Sequence, residues 1–317
     1  MLNHYKCCKL CPRNCGVNRL AGEVGFCKES AELRIGAALL HCGEEPPLIG
    51  QKGSGTIFIS GCNMGCALCQ NYQISQAVPE TGTSLGRVVL PGEFAEICMA
   101  LRGKGAANIN IVTGSHAIPG IIQGIIAART AGVEIPLLWN TSAYETTEAL
   151  ELLRDHVDIY LPDLKTLESE ISAKFFNAAD YPKTAAAAIL KMIEMAGGNS
   201  REKVIIRHLI LPGYLESTRE VLRWFSENAK NRAMLSLMTQ YTPIPGREVN
   251  APKGYLQEEE YDTVMSWLEE FKIEDGFCQE LVTGSDWLPD FRRPNPFSSE
   301  LSVPVWHYGQ TPLPAKD

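Results

Sequence analysis

The chain has 317 residues, with 29 Lys and Arg against 37 Asp and Glu, a formal net charge of −8. Apolar residues at 45% and charged residues at 21% give the balance of a globular chain, and an acidic sequence without a long Lys/Arg run argues against nucleic acid or an anionic membrane as the main partner. No run of 18 apolar residues occurs, which excludes a membrane-spanning helix.

Residues 1–50 are rich in Cys, Gly and Pro and lack sustained periodicity. Too short to bury a core of its own, this stretch reads as a small metal-stapled module. The opening MLNHYKCCKLC contains no apolar segment of the kind a signal peptide needs, so a cytoplasmic location is expected. Nine of the eleven cysteines lie in the first 69 residues, and clustered thiols in a reducing compartment indicate metal or redox chemistry rather than disulfides. Cys8-x2-Cys11-x3-Cys15-x11-Cys27 is a closed set of four ligands, suited either to structural zinc or to a second, fully ligated iron–sulfur cluster. The x2 spacing favours Cys8 over Cys7. Cys42, Cys98 and Cys278 have no partner at ligand spacing and are expected to be buried free thiols.

Over residues 51–284 short apolar runs alternate with helical stretches. The runs are Thr56–Ser60, Asn108–Val112, Pro136–Trp139, Asp158–Leu161, Val204–Leu211 and Leu235–Gln240, each bounded by Gly, Pro, Asn or Asp as buried parallel strands are. Helices are predicted over 92–104, 118–131, 146–155, 168–197, 216–229 and 257–272. Six β/α units in alternation imply a parallel sheet with right-handed crossovers, open or barrel-shaped, and a site at the carboxyl ends of the strands. Residues 285–317, rich in Pro and aromatics, read as a tail packed over that body, with a lid or docking segment as the alternative.

Directly after the first run stands Gly61-Cys62-Asn63-Met64-Gly65-Cys66-Ala67-Leu68-Cys69. Three thiolates at x3 and x2 spacing are close enough to wrap one [4Fe–4S] cluster and leave one iron open, whereas an electron carrier covers all four. This loop, within GSGTIFISGCNMGCALCQNYQIS and with CPRNCGVNRLAGEVGFC upstream, resembles the radical S-adenosylmethionine (SAM) superfamily. Within it the chain is similar to proteins described as pyruvate formate-lyase activating enzyme-like. The resemblance implies a partial (β/α)6 TIM-like barrel in which Cys62, Cys66 and Cys69 hold the cluster. It implies an oxidoreductase that cleaves SAM reductively to methionine and a 5′-deoxyadenosyl radical, which abstracts hydrogen from a substrate. A flavodoxin or ferredoxin would donate the electron, and a protein would be the substrate of an activating enzyme; a small molecule or another macromolecule is the alternative, and a non-enzymatic iron–sulfur carrier or scaffold the third reading.

The remaining candidates follow successive runs. Thr113, Gly114 and Ser115 match the position where the superfamily offers backbone to the methionyl ammonium, although the glutamate often found there is missing. His116 is either a wall of the substrate cavity or a residue near a helix start. Asn140 and Thr141 suit the ribose diol, in competition with helix capping by Ser142 or Thr146. Asp163 and Lys165 point to the same side of an extended strand end, and the lysine would neutralise the methionyl carboxylate unless the two form a plain surface ion pair. Arg207, inside an apolar strand, requires a polar interior. Gln240 and Tyr241 are placed to meet adenine or substrate. Leu68 stands where relatives commonly carry an aromatic residue against the adenine.

Overall fold

The computed structural model describes residues 1–77, 82–198, 200–247, 249, 251–282, 284–285 and 287–310. Residues 286 and 311–317 of the expected tail therefore lie outside the described residues. The strands are β1 (Arg34–His41), β2 (Ser54–Ile59), β3 (Arg87–Val88), β4 (Ile109–Val112), β5 (Leu137–Thr141), β6 (Ile159–Pro162), β7 (Ile205–Leu209), β8 (Met234–Met238), β9 (Gly276–Cys278) and β10 (Ser302–His307). The helices are α1 (Pro46–Ile49), α2 (Tyr72–Ser75), α3 (Pro91–Gly103), α4 (Ile118–Thr130), α5 (Thr147–Glu151), α6 (Ser169–Phe176), α7 (Tyr181–Met195), α8 (Leu215–Asn228) and α9 (Glu258–Glu270).

β2, β4, β5 and β6 pair in parallel in that order, and β7, β8 and β9 form a second parallel set. Two isolated parallel bridges, Tyr160 to Val204 and Asp163 to Arg207, join β6 to β7. The result is one curved wall of seven parallel strands, the partial TIM-like barrel. All six residues of β2 are buried, as expected for a parallel strand covered on both faces. The helices pack outside, α3 through Phe94, Ile97 and Leu101 and α4 through Ile118, Ile121, Ile122 and Ile125. Local chemistry sets where helices begin. Thr146 Oγ1 accepts the Ala149 amide at 3.2 Å before α5, and Gln257 and Glu260 form a reciprocal capping box at α9. No helix among the described residues is long and apolar enough to cross a membrane.

Four features differ from the sequence expectation. The parallel wall has a seventh strand, β9, beyond the six predicted runs. The sheet reaches into both terminal segments, because β1 pairs antiparallel with β2 on one side and with β10 on the other. The helix predicted over 168–197 is two helices. Asn177 adopts φ +55° and ends α6, and Pro182 in the first turn of α7 starts a new helix. Cys98 is buried, but Cys42 and Cys278 are exposed, the first in the turn after β1 and the second on β9 at the sheet edge.

Candidate active site

β2 carries the chain to the cysteine loop. Gly61 follows with φ +82°, and its amide donates to Ile74 O at 2.7 Å. A Cβ there would lie 2.5 Å from Glu29 Cγ, so only glycine makes this turn. The loop brings Cys62, Cys66 and Cys69 to one cavity of about 770 Å³, which Leu68 also lines. The Met64 amide points at Cys62 Sγ (3.4 Å), and Cys69 Sγ lies 3.3 Å from Ser75 Oγ. Burial, reinforced by Cys69, pushes the Cys62 thiol up to about 11. Burial also raises Cys66, against the pull of Lys165. Thiols so enclosed ionise only with positive charge bound beside them, and three soft donors on one loop are the donor set of an iron–sulfur cluster. The residues present fit that group.

The strand ends complete the wall. Thr113 lines the cavity with φ +60°, a strained conformation for a β-branched residue. Gly114 and Ser115 stand behind it. A Cβ on Gly114 would strike the Trp139 ring at 2.6 Å, and Ser115 Oγ donates to Glu145 at 2.7 Å. Asn140, Thr141 and Ser142 line the cavity, while capping of α5 falls to Thr146. The Thr141 hydroxyl donates to Glu145, a buried carboxyl that also accepts from Trp139 Nε1 at 3.2 Å and that burial pushes upward.

Asp163, Lys165 and Arg207 meet inside the cavity rather than on the outer surface. Lys165 Nζ donates to Asp163 at 2.7 Å; Arg207 donates to Asp163 Oδ1 at 2.9 Å and to Asn140 Oδ1 at 2.6 Å. Burial alone would raise Asp163, but the two cations outweigh it and hold the carboxyl below its ordinary value. Gln240 lines the wall with its side-chain oxygen engaged by Gln279 at 2.8 Å. His116 and Tyr241 stand elsewhere. His116 sits behind the cysteine loop, donating from Nε2 to Ser60 O at 2.8 Å, and Tyr241 donates to Pro252 O at 2.7 Å.

Sequence reasoning missed two groups. The turn after β1 brings His41, Glu44 and Glu45 to the cavity. Arg207 Nη1 lies 3.6 Å from Glu44, whose other oxygen accepts from Asn110 Nδ2 at 3.2 Å. Two consecutive glutamates leaving an apolar strand before Pro46-Pro47 were the available signal. The second group is Arg13, inside the CPRNC motif. It donates to Asn63 O and Met64 O of the cysteine loop, both at 2.9 Å, and to Asn177 O at 2.6 Å, with its guanidinium 3.8 Å above the Phe26 ring.

Cys8, Cys11, Cys15 and Cys27 lie in the segment that Arg13 anchors. Cys15 Sγ accepts the Phe26 amide at 3.4 Å. Arg19, only 2% exposed, approaches Cys8 Sγ at 3.8 Å and reaches the His116 carbonyl. Among the described residues no three Cys, His, Asp or Glu side chains are drawn close enough together to hold a single metal ion.

Residues 56–225 match the family model of the radical SAM superfamily. An uncharacterized protein of Methanocaldococcus jannaschii is 30% identical over 276 residues, covering 86% of this chain and 77% of that one. Among solved structures, Streptococcus suis SuiB bound to S-adenosylmethionine matches with a TM-score of 0.51 at 14% identity over 69% of this chain and 48% of its own. SuiB in a second crystal structure gives 0.50 at 14% identity, over 69% and 47%. The chain thus spans about half the length of the SuiB chains, and at that identity the likeness concerns the fold. The chain belongs to the radical SAM superfamily, and that membership implies a [4Fe–4S] cluster, S-adenosylmethionine and the chemistry of a radical enzyme.

Proposed function

We propose that the chain is an oxidoreductase that abstracts hydrogen from a substrate reaching into the cavity, with Cys62, Cys66 and Cys69 as cluster ligands. The observation that carries this reading is that three thiols of one loop and a buried cation–carboxylate network line the same enclosed space. When bound, the cluster and SAM supply reductive cleavage of the sulfonium and a carbon radical for hydrogen abstraction. The protein's part is to bind and orient. Thr113 would present backbone to the methionyl ammonium, with Gly114 and Ser115 supporting it. Lys165 and Arg207 would face the carboxylate, with Asp163 fixing both cations. Asn140 and Thr141 would take the ribose, and Gln240 would border the adenine or substrate. A flavodoxin or ferredoxin in the cytoplasm would deliver the electron.

Reconstitution under anaerobic conditions, followed by dithionite and SAM, is expected to release 5′-deoxyadenosine. Cys62→Ala should release none. If wild type forms none, the reading fails. The likeness of the two cysteine segments to activating enzymes supports a protein substrate, tested by electron spin resonance for a glycyl radical in a co-expressed partner. The enclosed, acidic far end of the cavity favours a second reading, in which a small molecule or a single side chain enters. We read the four N-terminal cysteines as a metal site, for zinc or a second cluster, which the metal would have to draw together on binding. The buried Arg19 cation beside Cys8 calls for negative charge and supports ligated thiolates there without distinguishing the two.

A further inference from the structure

The cavity has a second pole. β1 runs antiparallel to β2, with His41 opposite Ser54, so the turn after β1 lies at the end of the sheet opposite to the cysteine loop. This turn presents Glu44 and Glu45 to the cavity, whose wall there includes the aromatic rings of Trp287 and Phe297. Phe297 meets the His41 ring edge-on, with centroids 5.0 Å apart. Trp287 packs so tightly that a Cβ on Gly43 would lie 2.6 Å from its ring.

The charges here do not balance. Lys165 is paired with Asp163, and Arg207 is shared among Asp163, Glu44 and, at longer range, Glu45, so that three carboxyl groups face two cations. Burial raises the Glu45 carboxyl against the pull of Arg207 and of the Ser236 hydroxyl. Glu45, 7% exposed, keeps Oε2 buried without any hydrogen-bond partner. His41 supplies no cation. Its Nδ1 accepts the Gly43 amide at 3.2 Å, and burial, with Arg207 nearby, lowers its pKa to about 4. A buried carboxylate oxygen without a donor is costly, and aromatic residues in the same wall are compatible with a positive guest.

We propose that this pole is a substrate subsite for an ammonium or guanidinium group, with Glu45 as the anion that receives it and Trp287 and Phe297 as the wall around it. The inference rests on the reading of the cavity as the reaction site and gives the substrate its class: a cationic amine, entering free or as the end of a peptide side chain. The cation would be held at the pole remote from the cysteine loop, which leaves the substrate's other end directed toward the cofactor.

The test is binding to the whole chain as purified, independent of turnover. Pentylamine, 1-pentanol and pentanoate are titrated in turn, with saturation-transfer NMR as the readout. Pentylamine is expected to bind at least roughly tenfold more tightly than either of the others, and Glu45→Gln to weaken it by roughly tenfold. Equal or tighter binding of pentanoate places the cavity's cations in charge and overturns the proposal. Equal binding of 1-pentanol means a protonated Glu45 and overturns it too, as does absence of pentylamine binding up to roughly 50 mM. If Glu45→Gln does not fold, the wild-type ranking alone decides. N-acetyl-lysine methylamide, compared with pentylamine, separates a peptide side chain from a free amine as the source, and tighter binding of either supports a cation site. Release of 5′-deoxyadenosine by wild type is scored separately, so a failed hydrogen-abstraction reading is distinguishable from a failed subsite.

Discussion

Arg13 is the residue on which the cysteine loop leans most directly. Its guanidinium fork reaches three carbonyls on two different segments while stacking on Phe26. A lysine has neither the planar fork nor the same stacking face. Arg13→Ala is therefore expected to cost about 2–3 kcal/mol in urea unfolding, from lost charged hydrogen bonds and the ring contact, and to make the loop around Cys66 more open to proteolysis. Arg13→Lys should recover less than half of that loss. An Arg13→Ala chain as stable as wild type would mean that the contacts are incidental. Arg13 lay in plain view within CPRNC, but a spacing argument reads the cysteines and passes over what stands between them.

Among the elements, the seam between β6 and β7 governs the site, because two isolated bridges join the two parallel sets there among the described residues. Side chains reinforce it. His208 Nδ1 contacts Leu164 O at 2.7 Å, and Nε2 contacts Thr218 Oγ1 at 2.9 Å. A carbonyl can only accept, so Nδ1 carries the proton and Nε2 accepts from the threonine. Burial lowers the pKa of this ring to about 4. Below pH 6.5 the unfolded chain takes up a proton that folded His208 refuses, so this residue withdraws stability as pH falls toward 4, by about 3 kcal/mol in all. His208→Gln removes that penalty. The stability gap between wild type and variant, measured by urea unfolding at stepped pH, should narrow between pH 6.5 and 4; a constant gap would refute the neutral buried ring. The six strands of the β/α units were legible because each is a short apolar run with clear stops. β1 was not, since Arg34–His41 holds a glycine and continues a cysteine-rich stretch that reads as a metal module, even though Gly43 and Pro46-Pro47 mark its end. Its turn, with Glu44 and Glu45, was hidden for the same reason. Spacing and position were enough to expect three thiols of one loop at one cavity. His116, open between a cavity wall and a helix start, stands two residues before α4 and outside the cavity wall, because position after a strand does not say which way a side chain faces.

At the scale of the whole molecule, both chain ends close on the same wall. β10 covers the outer edge of β1, and the N-terminal segment locks behind the cysteine loop through Arg13 and through Arg19, which spans from Cys8 to the His116 carbonyl. A fully buried guanidinium needs an anion, and four thiolates around a divalent metal carry net negative charge. Metal at the N-terminal site and order at the cluster loop should therefore be coupled. Analysis of the reconstituted chain is expected to give about four irons and one zinc, whereas a second cluster would give about eight irons and no zinc. Cys27→Ser should lose the zinc, lower the melting temperature by several degrees and, with Arg19 left near fewer anions, reduce iron uptake at Cys62, Cys66 and Cys69 as well. Cys62→Ala should lose the loop's iron while keeping the zinc. That asymmetry would follow from an N-terminal site that supports the loop from behind without depending on it in return. Equal loss of both metals in both variants would mean that the two sites fold as one unit.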